Sequence, residues 1–348
     1  MNVARPSATT RPPWIRWVAA GLAAYSLLFT LYTLLQPLDE EGRLIVGDLA
    51  YIPSSLVAGA LCLLILRATQ DHRLRWAWGL IGLGLLSWAM ADTLWAWYEL
   101  VLGVLPEPPH LTDIFYLITY PLFFAGLLIY PTARWNWLNR AKLLLDVSII
   151  AAATAIFGWY YLLTPILGTE AQNTLGRIIE LTYPVGDLVL IWALARIYFA
   201  APRTAASAAI LMLIAGIGLN VVADVWYAFL SPQGLYYTGH LVDALWVWGS
   251  ACVGGAALAQ YRAPSVGGQI GPSPSRSSQR LREHVQHFLP YILLVPVSIL
   301  EVREVSGLIT PNLPEWGLLL GGWLMIVLIV ARQIVTLGES DHLNAELA

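Results

Sequence analysis

Charge is what this sequence has least of. Only 12% of its 348 residues are charged, with a single lysine among them, against about 25% in an ordinary soluble domain. That scarcity excludes a conventional water-facing surface. With 58% hydrophobic residues and a mean hydropathy of +0.65, the surplus apolar surface calls for lipid as its solvent. Cysteine is almost as scarce. Cys62 and Cys252 each lie inside a long apolar run, where a small buried hydrophobe is the ordinary role, so a disulfide scaffold is excluded and the redox compartment is unreadable. A net charge of -3 and a pI near 6.1 leave no basic face for nucleic acid and no acidic tail. The motifs GxxxxGK[ST], HExxH and GxSxG are also missing, which removes the usual warrants for phosphate, zinc-hydrolase and serine-hydrolase chemistry. No catalytic residue, metal site or cofactor is expected.

What the sequence does have is apolar length. A helix needs about 20 apolar residues to cross a ~30 Å hydrocarbon core. Ten candidate runs fall near 14–36, 45–66, 77–102, 111–131, 142–164, 181–200, 206–230, 238–261, 288–302 and 315–337. The ninth is short and holds Pro290 and Pro296, which suits a kinked or partial span. If the N-terminus is cytoplasmic, sixteen basic residues fall on inner segments, and only Arg43, Arg177 and Arg303 on outer ones. That asymmetry predicts both ends inside the cytoplasmic membrane. Trp14, Trp17, Trp76, Trp135 and Trp137 then read as an inner aromatic belt.

An internal repeat organises the chain. Gly47-Asp48-Leu49 matches Gly186-Asp187-Leu188. Asp92 with Trp95 matches Asp224 with Tyr227, and His110, Asp113 and Tyr116 match His240, Asp243 and Trp246. The unit is four helices, and an even number makes the two copies parallel. The expected fold is an all-α polytopic transmembrane bundle of about ten spans: two parallel four-helix repeats plus a C-terminal hairpin. The segments run as a cytoplasmic N-terminal stretch (1–13), first repeat (14–131), second repeat (142–261), Gly/Ser/Pro-rich linker (262–287), hairpin (288–337) and the start of a cytoplasmic helix (338–348).

Counted at 1.5 Å per residue from the outer ends, Asp48, Asp187 and Asp224 lie roughly 5–10 Å deep and Asp92 about 12 Å, with Asp113 and Asp243 near the boundary. A carboxylate facing lipid costs about 2.5–3.5 kcal/mol near the centre, so the deeper four are expected to face the interior. Each acid has an aromatic donor about one turn away on its own helix, predicting two related, outward-opening sites. The expected ligand-binding set is therefore Asp48, Asp92, Trp95, His110, Asp113, Tyr116, Asp187, Asp224, Tyr227, His240, Asp243 and Trp246. Plainer roles stand beside these. Asp113 at a helix start is as well read as a cap, and His110 and His240 suit wet interfacial positions. Asp146, near the cytoplasmic end of span five, has no twin.

The Gly-Asp pairs resemble those of intramembrane aspartyl proteases, but Ile45 and Pro184 stand where those enzymes carry a further glycine. Duplication of a binding site fits them better than a catalytic dyad.

The stretch Pro108 to Leu128 (PPHLTDIFYLITYPLFFAGLL), preceded by Asp92 and Trp95, resembles the multi-span sensory modules of bacterial diguanylate cyclases, phosphodiesterases and histidine kinases. Val330 to Ala348 resembles the start of the signalling helix that leads into their output domains. The resemblance implies a bacterial inner-membrane sensor, acting in cyclic-di-GMP or related signalling, whose output enzyme is a separate protein if the chain is whole and lies beyond Ala348 if it is a fragment. No GGDEF, EAL or kinase signature occurs. Its partners would be the lipid bilayer, a small ligand or cation, and a cytoplasmic output domain or signalling partner, with a homodimer as a candidate assembly and no nucleic acid. The rival expectation is an ion-coupled secondary transporter, which parallel repeats, interior acids and Pro53, Pro121 and Pro184 also suit.

Overall fold

The computed structural model describes residues 13–131, 137–158, 174–200, 207–262 and 316–347, all of it helix, turn or irregular structure with no strand. Nine α-helices are described: α1 (Trp14–Leu35), α2 (Glu40–Ala68), α3 (His72–Ala96), α4 (Leu111–Ile129), α5 (Trp137–Gly158), α6 (Thr174–Ala200), α7 (Ser207–Leu230), α8 (Leu241–Arg262) and α9 (Trp316–Leu347). Eight spans within these helices are long and apolar enough to cross a membrane; α5 contributes a shorter apolar stretch, Leu144–Ala153. The expected ninth span at 288–302 and nearly all of the linker lie outside the described residues.

Capping explains where several helices begin. Asp39 accepts the Gly42 N–H at 3.0 Å, starting α2 five residues before the apolar run. Asp71 accepts from Arg73 and Leu74 and starts α3. Hydrophobicity locates the span, whereas the orphan N–H groups locate the helix start, and the two differ by a turn or more. At its far end α3 widens into a π-turn, Trp97–Val101, of the kind often found near functional positions. Pro53, Pro121 and Pro184 lie inside α2, α4 and α6, which continue as α-helix through them. α9 continues unbroken past the apolar stretch to Leu347.

Contacts run in a closed cycle. α2 packs on α3, α3 on α4, α4 on α6, α6 on α7, α7 on α8, and α8 returns to α2. Outside this ring, α1 lies against α8, α5 against α6 and α9 against α5. Small residues permit the close crossings. A Cβ at Gly82 on α3 would stand 3.1 Å from the Gly59 carbonyl oxygen of α2, and one at Gly216 on α7 would stand 2.7 Å from that of Gly249 on α8. In lipid such backbone approach supplies the dispersion that holds helices together, because tails and apolar side chains attract equally.

The two ends of the ring differ in chemistry. Toward the turns at 69–71 and 130–131 the interior is apolar, built on Ile65, Leu74, Trp78, Leu127, Ile197 and Leu213, all at most 1% exposed. Toward the loops at 36–39, 102–110 and 231–240 it holds the acids. Outward-facing positions, by contrast, are apolar: Leu28, Leu83, Ile114, Val222 and Trp323 are each about half or more exposed. Buried carboxylates inside an apolar exterior reverse the soluble pattern and suit a bilayer. Trp14, Trp17 and Trp76 are exposed at the apolar end, as a belt requires. Trp135 lies outside the described residues, as does the side chain of Trp137.

Candidate functional site

Five aspartates of the acid-bearing end are buried, Asp48, Asp92, Asp113, Asp187 and Asp243, and a sixth, Asp224, is half-buried. Their donors come mostly from other helices. Tyr116 of α4 donates to Asp92 of α3 at 2.9 Å, and Trp246 of α8 donates to Asp224 of α7 at 2.7 Å. Tyr120 of α4 donates to Asp187 of α6 at 3.1 Å, and Tyr183 of α6 donates to Asp113 of α4 at 2.8 Å. The α4–α6 boundary is thus bonded in both directions. Asp243 accepts from Tyr236 at 3.1 Å and from the Gly239 N–H at 2.7 Å.

These pairings differ from the same-helix pairings that the spacing suggested. Trp95 donates to Glu99, one turn further along in the π-turn, at 2.6 Å, rather than to Asp92. The Tyr116 and Trp246 rings extend radially, so their polar tips span the roughly 8–10 Å gap to the next helix, whereas the π-turn keeps Glu99 within reach of Trp95 on the same segment. Charge-assisted bonds of this kind are shorter and stronger than neutral ones.

Glycine shapes two of the approaches. Gly186, beside Asp187, has the Tyr120 ring where a Cβ would project, which lets the phenol reach the carboxylate. Gly239 has φ +88°, in the left-handed region where side chains are strained, and its Cβ position would meet the Arg43 stem. The loop carrying it closes over the start of α2. Arg43 sits 4.7 Å over the Tyr237 ring, and Gln36 donates to the Tyr237 hydroxyl at 2.6 Å. A lid of turn residues therefore covers this side of the acid layer.

Asp113 and Asp243 also stabilise helix starts. The Asp113 carboxylate accepts the His110 N–H at 2.7 Å, closing a capping box at the start of α4. His110 and His240 cap α4 and α8 respectively, with Nδ1 accepting from Thr112 at 3.4 Å and from Val242 at 3.2 Å. Burial holds the His240 imidazole below its ordinary range, consistent with an accepting, neutral ring. The structure thus places the two histidines at separate caps. Tyr227 packs its ring 4.7 Å from Tyr236 and 5.8 Å from Trp246.

Two acids stand apart from this pattern. Asp48 is 3% exposed, and its Oδ2 is buried with no hydrogen-bond partner. Its charged neighbours are Glu99, with which it shares a side-chain hydrogen bond, Asp243 and Asp92. Asp146 of α5 pairs with Arg332 of α9, Nε to Oδ1 at 2.8 Å, both side chains nearly buried. Among the described residues no three His, Cys, Asp or Glu converge as metal ligands.

Sequence reasoning missed Glu99, Tyr120, Tyr183 and Tyr236. The first three carried a signal: Glu99 is seven residues after Asp92, Tyr120 four after Tyr116, and Tyr183 four before Asp187, each spacing keeping one helix face. Tyr236 sits in a loop, where no period applies.

No family model matches the chain, no curated protein matches it, and no solved structure matches its fold.

Proposed function

We propose that this chain is an integral membrane sensory module of the bacterial inner membrane, with both termini cytoplasmic and the acid layer toward the outer face. In this reading α2–α4 and α6–α8 are two parallel copies of one unit, each preceded by a peripheral helix, α1 or α5. The interfaces α4–α6 and α8–α2 are then equivalent, in keeping with the closed contact cycle and with the matched Gly-Asp-Leu, Asp and His-x-x-Asp stretches.

The observation that carries the reading is the set of carboxylate–aromatic bonds between different helices at one end of the ring. A ligand or a change in membrane state that alters one of these bonds changes how two helices sit against each other. Packed interfaces respond to such changes in discrete steps. α6 is bonded to α4, α5 packs on α6, and α9 is tied to α5 through Asp146 and Arg332. Through that chain of contacts a displacement at the acid layer reaches the helix that runs on to Leu347. A cytoplasmic output domain or partner would read the movement, and a homodimer would let two such helices meet.

The secondary-transporter reading draws support from the three interior prolines. Against it, transporter sites are commonly built on discontinuous helices at the midplane, whereas α2, α4 and α6 are continuous and the acids lie toward one end.

The test is a fusion of the chain to a reporter output domain, compared with Asp92→Asn and Asp224→Asn in the same fusion and with the same chains in sealed vesicles. The sensor reading expects folded variants with changed output and no solute flux. Flux abolished by the Asn variants, with output unchanged, contradicts it.

A further inference from the structure

The end of the ring opposite the acids holds a positive charge that no acid answers. Arg196 lies four residues before the last residue of α6 and is half-buried. Its Nη1 donates to the Leu127 carbonyl at 3.2 Å, one of the last carbonyls of α4, which lack a partner inside their own helix. That cap uses one N–H of a guanidinium that carries several. The charged group acting on Arg196 is a second cation, Arg73. Packing brings the two together. A Cβ at Gly126 on α4 would stand 2.8 Å from the Ala77 carbonyl oxygen of α3, and Arg73 lies four residues before Ala77, one turn nearer the end on the same helix face. Because α4 lies between α3 and α6 in the ring, the two guanidiniums flank its last turn.

Local acids do not compensate the pair. Asp71, two residues before Arg73, spends its Oδ1 on the backbone N–H groups of Arg73 and Leu74. Among the described residues no ion pair joins Arg73 or Arg196 to a carboxylate. Arg332 shows the contrast: it too is withdrawn from water, and Asp146 meets it at 2.8 Å. Two like charges at a half-buried place repel, and an anion between them relieves both the repulsion and the desolvation. The position suits the phosphate level of a bilayer. α6 has 27 residues and spans about 40 Å, longer than a ~30 Å hydrocarbon core, so its last turn reaches the headgroup layer. Arg73 is exposed, which leaves the pair open to the surface, and Trp76, three residues further along α3, is exposed as an interfacial anchor. The planar fork of a guanidinium matches phosphate oxygens.

We propose that Arg73 and Arg196 form a binding site for the phosphate of an anionic phospholipid. Its oxygens take the N–H groups left over from the Leu127 bond, and its acyl chains run along the exposed Leu128 and Ile129 at the end of α4. Basic sites between spans on the cytoplasmic side suit such headgroups. The bound lipid ties the last turn of α4 to the ends of α3 and α6. The site is separate from the acid layer, and that it meets the cytoplasmic leaflet rests on the orientation given above.

The full chain, stripped of lipid in a neutral detergent, tests the proposal, with native mass spectrometry and thermal unfolding as readouts. Both ends are accessible in detergent and no output is attached, so the outcome is separate from the orientation and from the reporter fusion. The probes are dioleoyl phosphatidylglycerol, dioleoyl phosphatidylcholine and inorganic phosphate. Phosphatidylglycerol should bind saturably and raise the unfolding temperature, and phosphatidylcholine, whose choline cancels the phosphate charge, should bind about tenfold or more weaker. Inorganic phosphate should not displace the lipid. Arg73→Gln and Arg196→Gln should each weaken phosphatidylglycerol binding about fivefold, whereas Arg75→Gln, the same charge change on another face of α3, should change it by less than about twofold. Arg73→Glu supplies the missing carboxylate within the chain, so it should abolish binding and raise the unfolding temperature of the lipid-free protein. If Arg196→Gln fails to fold through loss of its cap, the Arg73 variants decide, because that side chain is exposed. Equal binding of the two lipids, equal losses in Arg75→Gln and Arg73→Gln, unchanged binding in Arg73→Glu, or displacement by inorganic phosphate overturns the proposal. Equal losses would mean a diffuse basic surface, and displacement a soluble phosphate site.

Discussion

Asp187 and Asp48 begin from the same Gly-Asp-Leu triplet on α6 and α2, yet their surroundings differ. A phenol from α4 serves the first, and a serine turned toward Ser55 stands in the matching register beside the second. Asp146 extends the contrast, since its partner is a base, Arg332. Local sequence decides that an acid is buried. The helix across the gap decides whether it becomes an aromatic clamp, an ion pair or an acid set against other acids.

The largest expected effect lies at the ion pair. Arg332→Ala leaves Asp146 in a nearly dry contact with Lys142 as its remaining basic neighbour, and since breaking a buried pair outright costs about 3–5 kcal/mol, a loss toward the lower end, about 3 kcal/mol, is expected. Thermal unfolding in nanodiscs should show this loss, or α9 should separate from α5 in cross-linking. Replacing both partners with leucine should recover most of it, because the desolvated charges go together. A double variant as unstable as the single one would mean that the two groups act separately.

The contrast between the two halves comes next. Tyr120→Phe removes one bond to a carboxylate and should cost about 1.5–3 kcal/mol, whereas Ser250→Ala removes a neutral serine–serine bond and should cost about 0.5–1.5 kcal/mol. Equal losses in the two variants would break the distinction between an aspartate clamp and a serine pair at the matching register. Gly186→Ala sharpens it, since the added methyl meets the Tyr120 ring and should mimic Tyr120→Phe, with a loss of about 1–3 kcal/mol from forced displacement. The smallest effect belongs to the caps. His110→Ala gives up one side-chain bond at the start of α4 while the Asp113 bond to the backbone remains, and about 0.5–1 kcal/mol is expected.

Much of this was legible in the sequence, for a physical reason. Lipid accepts few charges, so the helices and the burial of Asp48, Asp92 and Asp187 followed from apolar length and from the cost of a carboxylate in hydrocarbon. The caps by Asp39 and Asp71 set helix starts that the apolar runs at 45–66 and 77–102 placed too late. Donor pairing was misread for Trp95, Tyr116 and Trp246 because spacing along one helix says nothing about which neighbour lies across the gap. The partner of Asp146 was equally hidden, since Arg332 is 186 residues away in the chain. The contact of Asp48 with Glu99 was hidden as well, since it crosses from α2 to the π-turn after α3.

The claim that the acid layer moves α9 is most directly tested by a distance measurement between spin labels. With Cys62 and Cys252 replaced by alanine, labels at the exposed positions Leu83 on α3 and Leu337 on α9 report the separation in wild type, Asp92→Asn and Asp224→Asn. The account expects the Asn variants to shift the distance distribution or to populate a second one. Identical distributions in all three proteins, alongside a changed reporter output, would contradict it.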